Sequence, residues 1–132
     1  MVKVLNDIWI LTQNGVTVYS RVQDPRISPQ LFGALMSALN SFAERLSNGG
    51  ITNIELSKLR FTLLKKKNFI FIANSSKKAK EKKVLNELSH VAEKFFKLYS
   101  EEILEKWDND INIFANFQNE IKDSLEETTK KI

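Results

Sequence analysis

Two short segments that are apolar at every position constrain the fold of this chain more than any other feature. They read IWIL at residues 8–11 and FIFI at residues 69–72. Successive side chains of a β-strand point to opposite faces of the sheet, so a strand that is apolar throughout has to be covered on both faces. We therefore expect both segments to be central strands of a sheet that carries helices on each side.

The first of these segments opens a hairpin. The stretch IWILTQNGVTVYSR places Asn14 and Gly15 between two runs of strand-forming residues. This dipeptide accepts the positive φ angles that a tight two-residue turn requires. The second arm, residues 16–22, alternates apolar and polar side chains, which favours an edge strand next to a central one.

A helix is expected between Ser28 and Gly49. Ser28 can cap its first turn, Pro29 fits the first helical position because its missing N–H costs nothing there, and Gly49 accepts the backbone that ends a helix. The apolar residues form a broad stripe at helical spacing: Leu31, Phe32, Leu35, Met36, Leu39, Phe42, Ala43 and Leu46. Such a helix has to lie on a sheet or on a partner.

The rest of the chain predicts three further strands and two helical regions. The strands cover residues 51–56, 58–64 and 68–74, and a long helix covers residues 77–99, with Ser75-Ser76 as a possible cap. A last helical region is broken near residues 108–110. The order ββ-α-βββ-α-α predicts an α/β (α+β) fold, in which one five-stranded antiparallel sheet lies between one helix and a pair of helices.

Length and composition indicate one ordinary globular domain. The chain has 132 residues, of which 42% are hydrophobic and 27% charged, and its apolar runs are far shorter than the about 18 residues that span a membrane. We expect residues 1–124 to form the domain and residues 125–132 to be a frayed tail. Cysteine is absent, which fits a reducing compartment, so we expect a cytoplasmic protein with at most peripheral membrane contact.

The net charge of +4 is unevenly distributed. Residues 58–83 carry ten basic side chains and only Glu81 as an acid. Five lysines crowd the start of the second long helix, where the helix dipole favours acids: Lys77, Lys78, Lys80, Lys82 and Lys83. Two interpretations stay open, a solvated polar face or a basic patch that binds nucleic acid or an anionic membrane surface. Residues 65–67 are expected about 20 Å away, at the other end of a strand, which argues against one continuous patch.

Catalytic chemistry finds no support in the sequence. The single histidine, His90, lies within a helical pattern, and zinc ligands are missing because cysteine is absent. Asp108 and Asp110 fit a turn and a helix cap better than a calcium loop. Neither of the glycine-rich phosphate-binding patterns occurs. We therefore expect no catalytic residue, no metal site and no cofactor.

Several segments together resemble the longin domain of the longin/roadblock superfamily. These are the opening hairpin, the helix segment LFGALMSALNSF, the strand segment ITNIELSKLRF, FIFIA, the long helix and the Trp-Asp turn. The resemblance implies a profilin-like sandwich without enzymatic activity that dimerises and scaffolds small GTPases or membrane-trafficking complexes. The segment GVTVYSR is most similar to longin modules of Rab-type exchange factors. Because no second domain or SNARE motif follows, we do not expect a complete exchange factor or a SNARE.

The two sheet edges and the first helix predict self-association. Neither expected edge strand carries proline or a dense row of charges, and residues 51–56 are the less guarded of the two. Small residues on the first helix would let another backbone approach. We therefore predict a two-fold homodimer with Gly33, Ser37, Ile51, Asn53 and Ile54 in its interface. Its partner is expected to be a small GTPase or another longin/roadblock protein, with binding of nucleic acid or an anionic membrane surface as the alternative function.

Overall fold

The computed structural model describes residues 4–24, 26–108, 110–117 and 119. Its strands are β1 (Asp7–Thr12), β2 (Thr17–Arg21), β3 (Asn53–Glu55), β4 (Leu59–Lys66) and β5 (Phe69–Ser76). Its helices are α1 (Pro29–Leu46), α2 (Glu81–Leu98) and α3 (Glu101–Glu105), followed by a 3₁₀ helix, Ile111–Phe117. The predicted tail, residues 125–132, lies outside the described residues, so the predicted domain boundary stays a prediction.

The five strands form one antiparallel sheet in the order β2-β1-β5-β4-β3. The two strands that are apolar throughout, β1 and β5, pair with each other from Asp7↔Asn74 to Thr12↔Phe69. Both are interior strands, and β2 and β3 are the edges. The predicted central strands, edge strands and five-stranded antiparallel sheet are therefore confirmed.

The sheet is covered on both faces, as the two apolar strands require. One face carries Trp9, Leu11, Leu63, Ile70 and Ile72, and Met36 of α1 packs on them. The opposite face carries Ile8, Ile10, Phe71 and Ala73, which pack with Val84, Leu88, Val91 and Phe95 of α2 and with Phe114 and Phe117 of the 3₁₀ helix. Alternate side chains of β1 thus enter two separate cores.

Two elements, β3 and α2, differ most in extent from the prediction. Strand β3 has three residues instead of six. Its pairing with β4 is bounded by two hydrogen bonds, one from the Leu63 N–H to the Thr52 carbonyl (2.9 Å) and one from the Leu56 N–H to the Leu59 carbonyl (2.8 Å). Helix α2 begins at Glu81 rather than at residue 77. The break predicted near residues 108–110 is present, because α3 ends at Glu105 and the 3₁₀ helix begins at Ile111.

The late start of α2 has a cause that lies far away in the sequence. The Arg60 guanidinium donates hydrogen bonds to the carbonyls of Ala79 (3.0 Å) and Lys77 (3.1 Å), so these carbonyls are held by a β4 side chain. Ser76, one of the two residues predicted as a possible helix cap, accepts a hydrogen bond from the Lys78 N–H instead. Lys80 occupies the cap position and makes no side-chain capping bond.

Tyr19 of β2 brings a polar group into the core. Its ring meets Phe117 edge to face, with 5.3 Å between ring centroids. Its hydroxyl has no hydrogen-bond partner among the described residues. Burial raises the pKa of Tyr19 to about 12, which the charge of Arg21 partly opposes and Tyr99 slightly adds to. The phenolate is therefore disfavoured in the folded state.

Tyr19→Phe is expected to remove part of the loss of stability at alkaline pH. The folded pKa of about 12 exceeds the ordinary value of 10.0, so the wild-type contribution is fully present below pH 10 and is lost as pH rises through about 12. The difference between the two proteins should be about 1–1.5 kcal/mol in unfolding free energy at pH 11 and should approach about 2–3 kcal/mol only above pH 12. At pH 7 the two proteins should differ by less than about 1 kcal/mol, because the deleted hydroxyl has no hydrogen-bond partner among the described residues. Denaturant unfolding at pH 7, 9.5 and 11 measures this, and parallel pH dependences would contradict it.

Candidate interaction surface

The outer side of α1 carries a row of exposed apolar side chains, here called the α1 stripe. It consists of Leu31, Leu35, Leu39, Phe42 and Leu46, whose exposure runs from 40% at Leu39 to 75% at Leu31. Their spacing of three or four residues puts them on one side of the helix. Together they expose roughly 500 Å² of surface, near the upper end of the largest apolar patch on a typical monomer, about 300–600 Å². Patches of this size are often functional.

The opposite side of α1 faces the hairpin through small residues. A Cβ added at Gly33 would lie 2.8 Å from the Gly15 carbonyl and closer still to the Thr17 hydroxyl. The Ser37 hydroxyl donates a hydrogen bond of 2.6 Å to the Gln13 carbonyl. Both residues are buried, so in this structure the small residues admit the backbone of their own hairpin. The prediction that Gly33 and Ser37 lie in a partner interface therefore differs from their position here.

The start of α1 is fastened to β2 by a pair of amide hydrogen bonds. The Gln30 side chain accepts from the Thr17 N–H (3.1 Å) and donates to the Thr17 carbonyl (2.9 Å). The Thr17 hydroxyl donates to the Pro29 carbonyl (2.7 Å). These bonds fix the rotation of α1 about its axis, which turns the α1 stripe away from the sheet. They also occupy the polar groups of one residue of the β2 edge.

The β3 edge holds the other predicted interface residues. Ile51 and Ile54 are half-buried and pack on the α1 side of the sheet, whereas Asn53 is exposed. The Ile51 N–H donates to the Asn40 side chain at 3.0 Å. The backbone groups of successive residues in an antiparallel strand point alternately toward and away from the neighbouring strand. Because Thr52 and Leu56 bond to β4, the N–H of Asn53 points toward the open edge. The structure thus leaves Asn53 open to a partner and places Ile51 and Ile54 beside α1.

The predicted basic patch occupies one end of the sheet. Lys77 and Lys78 precede α2, Lys80 occupies its N-cap position, and Lys82 and Lys83 lie in its first turn. All five are exposed, and the Lys77 ammonium lies 3.4 Å from a Glu55 carboxylate oxygen. The pairing Leu59↔Ser76 and Lys66↔Phe69 puts residues 65–67 at the opposite end of β4. The basic residues therefore form two separate groups.

Two cavities lie beside the β4–β5 turn. The first, of about 580 Å³, is lined by polar side chains that include Ser37, Asn40, Glu44 and Lys65. Burial lowers the pKa of Lys65, Glu44 opposes this shift, and the Lys65 ammonium donates to the Gly49 carbonyl. The second, of about 500 Å³, is lined largely by Phe69, Phe96, Leu104, Trp107 and Glu101.

The candidate acid, base and ligand residues have structural surroundings. His90 is exposed, and its Nδ1 lies 3.8 Å from a Glu93 oxygen. The Asp108 and Asp110 carboxylates accept hydrogen bonds from the N–H groups of Asp110 and Asn112, as the predicted turn and cap require. Within the described part of the chain, no three histidine, aspartate or glutamate side chains are grouped to hold a metal ion. None of the helices described there is long and apolar enough to span a bilayer.

Sheet order, layers and the exposed helix define a domain of the longin/roadblock class. The sequence matches the family model of the first longin domain of FUZ, MON1 and HPS1 over residues 6–131, and the chain belongs to this family. The predicted longin resemblance is therefore confirmed. No curated protein matches the sequence.

Two solved structures are similar in fold. A roadblock/LC7 domain from Streptomyces avermitilis is 19% identical, with 74% of this chain and 87% of that chain covered and a TM-score of 0.57. MglB from Myxococcus xanthus is 14% identical, with 70% of this chain and 84% of that chain covered and a TM-score of 0.54. At these identities the likeness concerns the fold alone.

Two residues that organise these surfaces were missed by the sequence analysis. Arg60 had a visible signal, because it is the one arginine among the ten basic residues of 58–83, and arginine is better suited than lysine to multiple buried hydrogen bonds. Gln30 gave no signal in the sequence, because a glutamine in the first turn of a helix is common. Its role appears only when β2 and α1 are placed side by side.

Gly33→Ala is expected to destabilise the fold, although alanine normally favours a helix. The added methyl group would collide with the hairpin backbone at Gly15, and such overpacking costs about 1–3 kcal/mol. Ser41→Ala, at an exposed position of the same helix, should be neutral or slightly stabilising. Denaturant unfolding at one fixed protein concentration compares them. A Gly33→Ala protein as stable as wild type but altered in oligomeric state would instead place Gly33 in a partner interface.

Proposed function

We propose that this chain is a non-enzymatic interaction module that forms a two-fold homodimer and binds or scaffolds a small GTPase or another longin/roadblock protein. The observation that carries the proposal is the α1 stripe. Its five large apolar side chains point away from the domain's own core. Burying them against a second helix would remove that surface from water, which is the main driving force of association.

A second copy of α1 fits the stripe. The helix carries only two charged side chains, Glu44 and Arg45, both near its C-terminal end, so the middle of the stripe is free of charge. Interface centres are depleted of charge and enriched in aromatic residues, and Phe42, 64% exposed, is an aromatic anchor. Two stripes related by a two-fold axis bury the same residues on each side. Roughly 500 Å² per subunit, extended by a sheet edge, approaches the about 800 Å² per partner of a standard interface.

The β3 edge is better suited than the β2 edge to extend this contact. At β2, the Gln30 amide already occupies the N–H and carbonyl of Thr17. At β3, the Asn53 N–H points outward, and the strand contains no proline. Edges of this kind pair with another strand. Helix α1 and β3 together therefore support a homodimer in which the two sheets become continuous.

The GTPase part of the proposal rests on the family to which the chain belongs. The longin/roadblock resemblance implies a regulatory domain that acts by binding, without cofactors. Nucleic-acid binding as the main function has less support, because the basic residues are divided between two ends of the sheet.

Charging the α1 stripe is expected to separate the dimer without unfolding the subunit. Wild type should sediment as a dimer at micromolar concentration, and Leu35→Lys with Phe42→Lys as a monomer, because both side chains are already exposed in the subunit. A control for the position of the charge is Leu98→Lys, which adds one lysine at a 41% exposed leucine of α2 and should remain a dimer. Monomeric wild type would refute the homodimer. Circular dichroism checks that all three proteins are folded.

The strand edge has its own test. Asn53→Pro removes an outward N–H while leaving the bonds of Thr52 and Leu56 to β4 in place, and Ile54→Lys places a charge beside α1. Both should weaken the dimer if β3 pairs across the two-fold axis. A dimer that is unaffected by either change would restrict the interface to α1.

Binding of a Rab-type GTPase is expected to depend on the same surface. Purified GTPases loaded with GDP, loaded with GTP or freed of nucleotide can be titrated by biolayer interferometry against wild type, the α1 double variant and Leu98→Lys. At least one should bind wild type and Leu98→Lys, and bind the double variant at least about tenfold more weakly, a change of 1.4 kcal/mol. Co-purification from a native lysate, with the bound chains identified, extends the test to longin/roadblock partners. Equal recovery with wild type and the double variant would contradict a composite dimer surface.

A further inference from the structure

One end of the sheet concentrates positive charge. This lysine end is defined as residues 55–60 and 77–83, which together carry seven basic side chains and two acidic ones. The first segment forms the β3–β4 turn, and the second leads from β5 into α2. The two segments meet through a hydrogen bond of 3.2 Å from the Lys77 N–H to the Lys58 carbonyl.

A buried arginine holds this end in shape. Arg60 is only 8% exposed, and its guanidinium bonds to the carbonyls of Lys77 and Ala79 at 3.1 Å and 3.0 Å. The loop between β5 and α2 is therefore fixed by the sheet beneath it, with its lysines on the outside. Because the loop is already ordered, little conformational entropy of its backbone is lost when a ligand binds.

The acidic residues at this end leave most of the charge unneutralised. Glu55 lies 3.4 Å from the Lys77 ammonium and 3.8 Å from Arg60 Nε. The remaining exposed lysines of the second segment are Lys78, Lys80, Lys82 and Lys83, and none of the four forms an ion pair with a described residue. Cations at the N-terminal end of a helix oppose the helix dipole. Glu81, the acid in the first turn of α2, offsets only part of this local cost.

The lysine end also carries an exposed apolar side chain. Leu56, 51% exposed, lies in the β3–β4 turn, where its N–H donates to the Leu59 carbonyl. Its neighbours in the turn are Ser57 and Lys58. An apolar side chain among lysines is the combination that holds proteins at the boundary between lipid head groups and acyl chains.

The same composition disfavours nucleic acid. Neither segment contains an aromatic residue on which a base could stack, and the single arginine is buried by its bonds to the loop. The exposed cations are all lysines, which act as hydrated point charges rather than as the forked donors that read base edges.

We propose that the lysine end docks the domain on a membrane surface rich in anionic phospholipid, with its lysines among the head groups and Leu56 at the acyl boundary. The lysine end lies at the ends of the strands, whereas the α1 stripe lies on one face of the sheet. Docking therefore leaves the α1 stripe accessible. The proposal does not depend on the homodimer or on a GTPase.

Vesicle co-sedimentation with two charge-matched variants tests the proposal. Lys78→Gln, Lys80→Gln and Lys83→Gln change the lysine end, and Lys66→Gln, Lys97→Gln and Lys106→Gln change exposed lysines elsewhere; each set lowers the net charge from +4 to +1. Vesicles of phosphatidylcholine with about 30% phosphatidylserine are compared with phosphatidylcholine alone, at about 0.05 M and about 0.3 M salt. Wild type should bind only the anionic vesicles, and more weakly at high salt.

The expected losses differ in size between the variants. Each lysine near an anionic surface contributes about fivefold in affinity, so the lysine-end triple variant should bind on the order of 100-fold more weakly. The control triple variant should lose less than about fivefold, through net charge alone. Leu56→Ser should lose about threefold to tenfold, because one partly inserted apolar side chain is removed.

Three results would overturn the proposal. They are no binding to anionic vesicles at low salt, equal losses in the two triple variants, and tighter binding to duplex DNA or single-stranded RNA than to the anionic vesicles. Sedimentation of the same variants without vesicles measures the oligomeric state separately. A failure of membrane docking can thus be distinguished from a failure of the proposed dimer.

Discussion

The pairing of β1 with β5 is the constraint on which the rest of the structure depends. Each strand is apolar on both faces, and six consecutive residue pairs join them in the interior of the sheet. Burying only one face would leave the other in water, at a free-energy cost of about 25 cal/mol for each Å² of apolar surface that stays exposed. Two helical layers are therefore required, and each layer in turn needs its own outer surface. The two helical layers therefore cover different apolar side chains, one set on each face of the sheet.

The two layers satisfy their sheet faces in different ways. On the α2 side, a cluster of aromatic rings fills the space, with Phe95 in contact with Phe71, Phe114 and Phe117. On the α1 side, Phe32 stacks on Trp9 with 4.1 Å between ring centroids, and Met36 covers much of the remainder. These few large residues suffice because Gly33 and Ser37 let α1 approach the hairpin closely. The broad apolar pattern of α1 is thus divided, with one part inside and the α1 stripe outside.

The sequence predicted the sheet well because continuous apolar runs are local signals. The start of α1 was predictable for the same reason, from Ser28 and Pro29. The hairpin was placed correctly, but its turn has a positive φ at Gly15 (94°) and not at Asn14, and its loop spans residues 13–15 rather than the predicted two. The rotation of α1 was not predictable, because hydrophobic spacing favoured the larger residues as the inner side, whereas the polar backbone of the hairpin requires small ones. The start of α2 was misplaced because a residue about twenty positions earlier, Arg60, holds the preceding loop. Both differences come from contacts distant in sequence, and both concern the surfaces proposed to bind partners.

These surfaces are separated by the geometry of the sheet itself. A sheet has two faces, two edges and two strand ends, and each proposed contact uses a different one of these. The α1 stripe covers one face, Asn53 opens one edge, and the lysine end occupies one strand end. An apolar helix face loses affinity when a charge is introduced and gains little from low salt, whereas a lysine cluster responds strongly to salt. If both surfaces bind as proposed, salt will release the domain from membranes at concentrations that leave its dimer intact. That separation follows from the chemistry of the two surfaces and requires no conformational change between them.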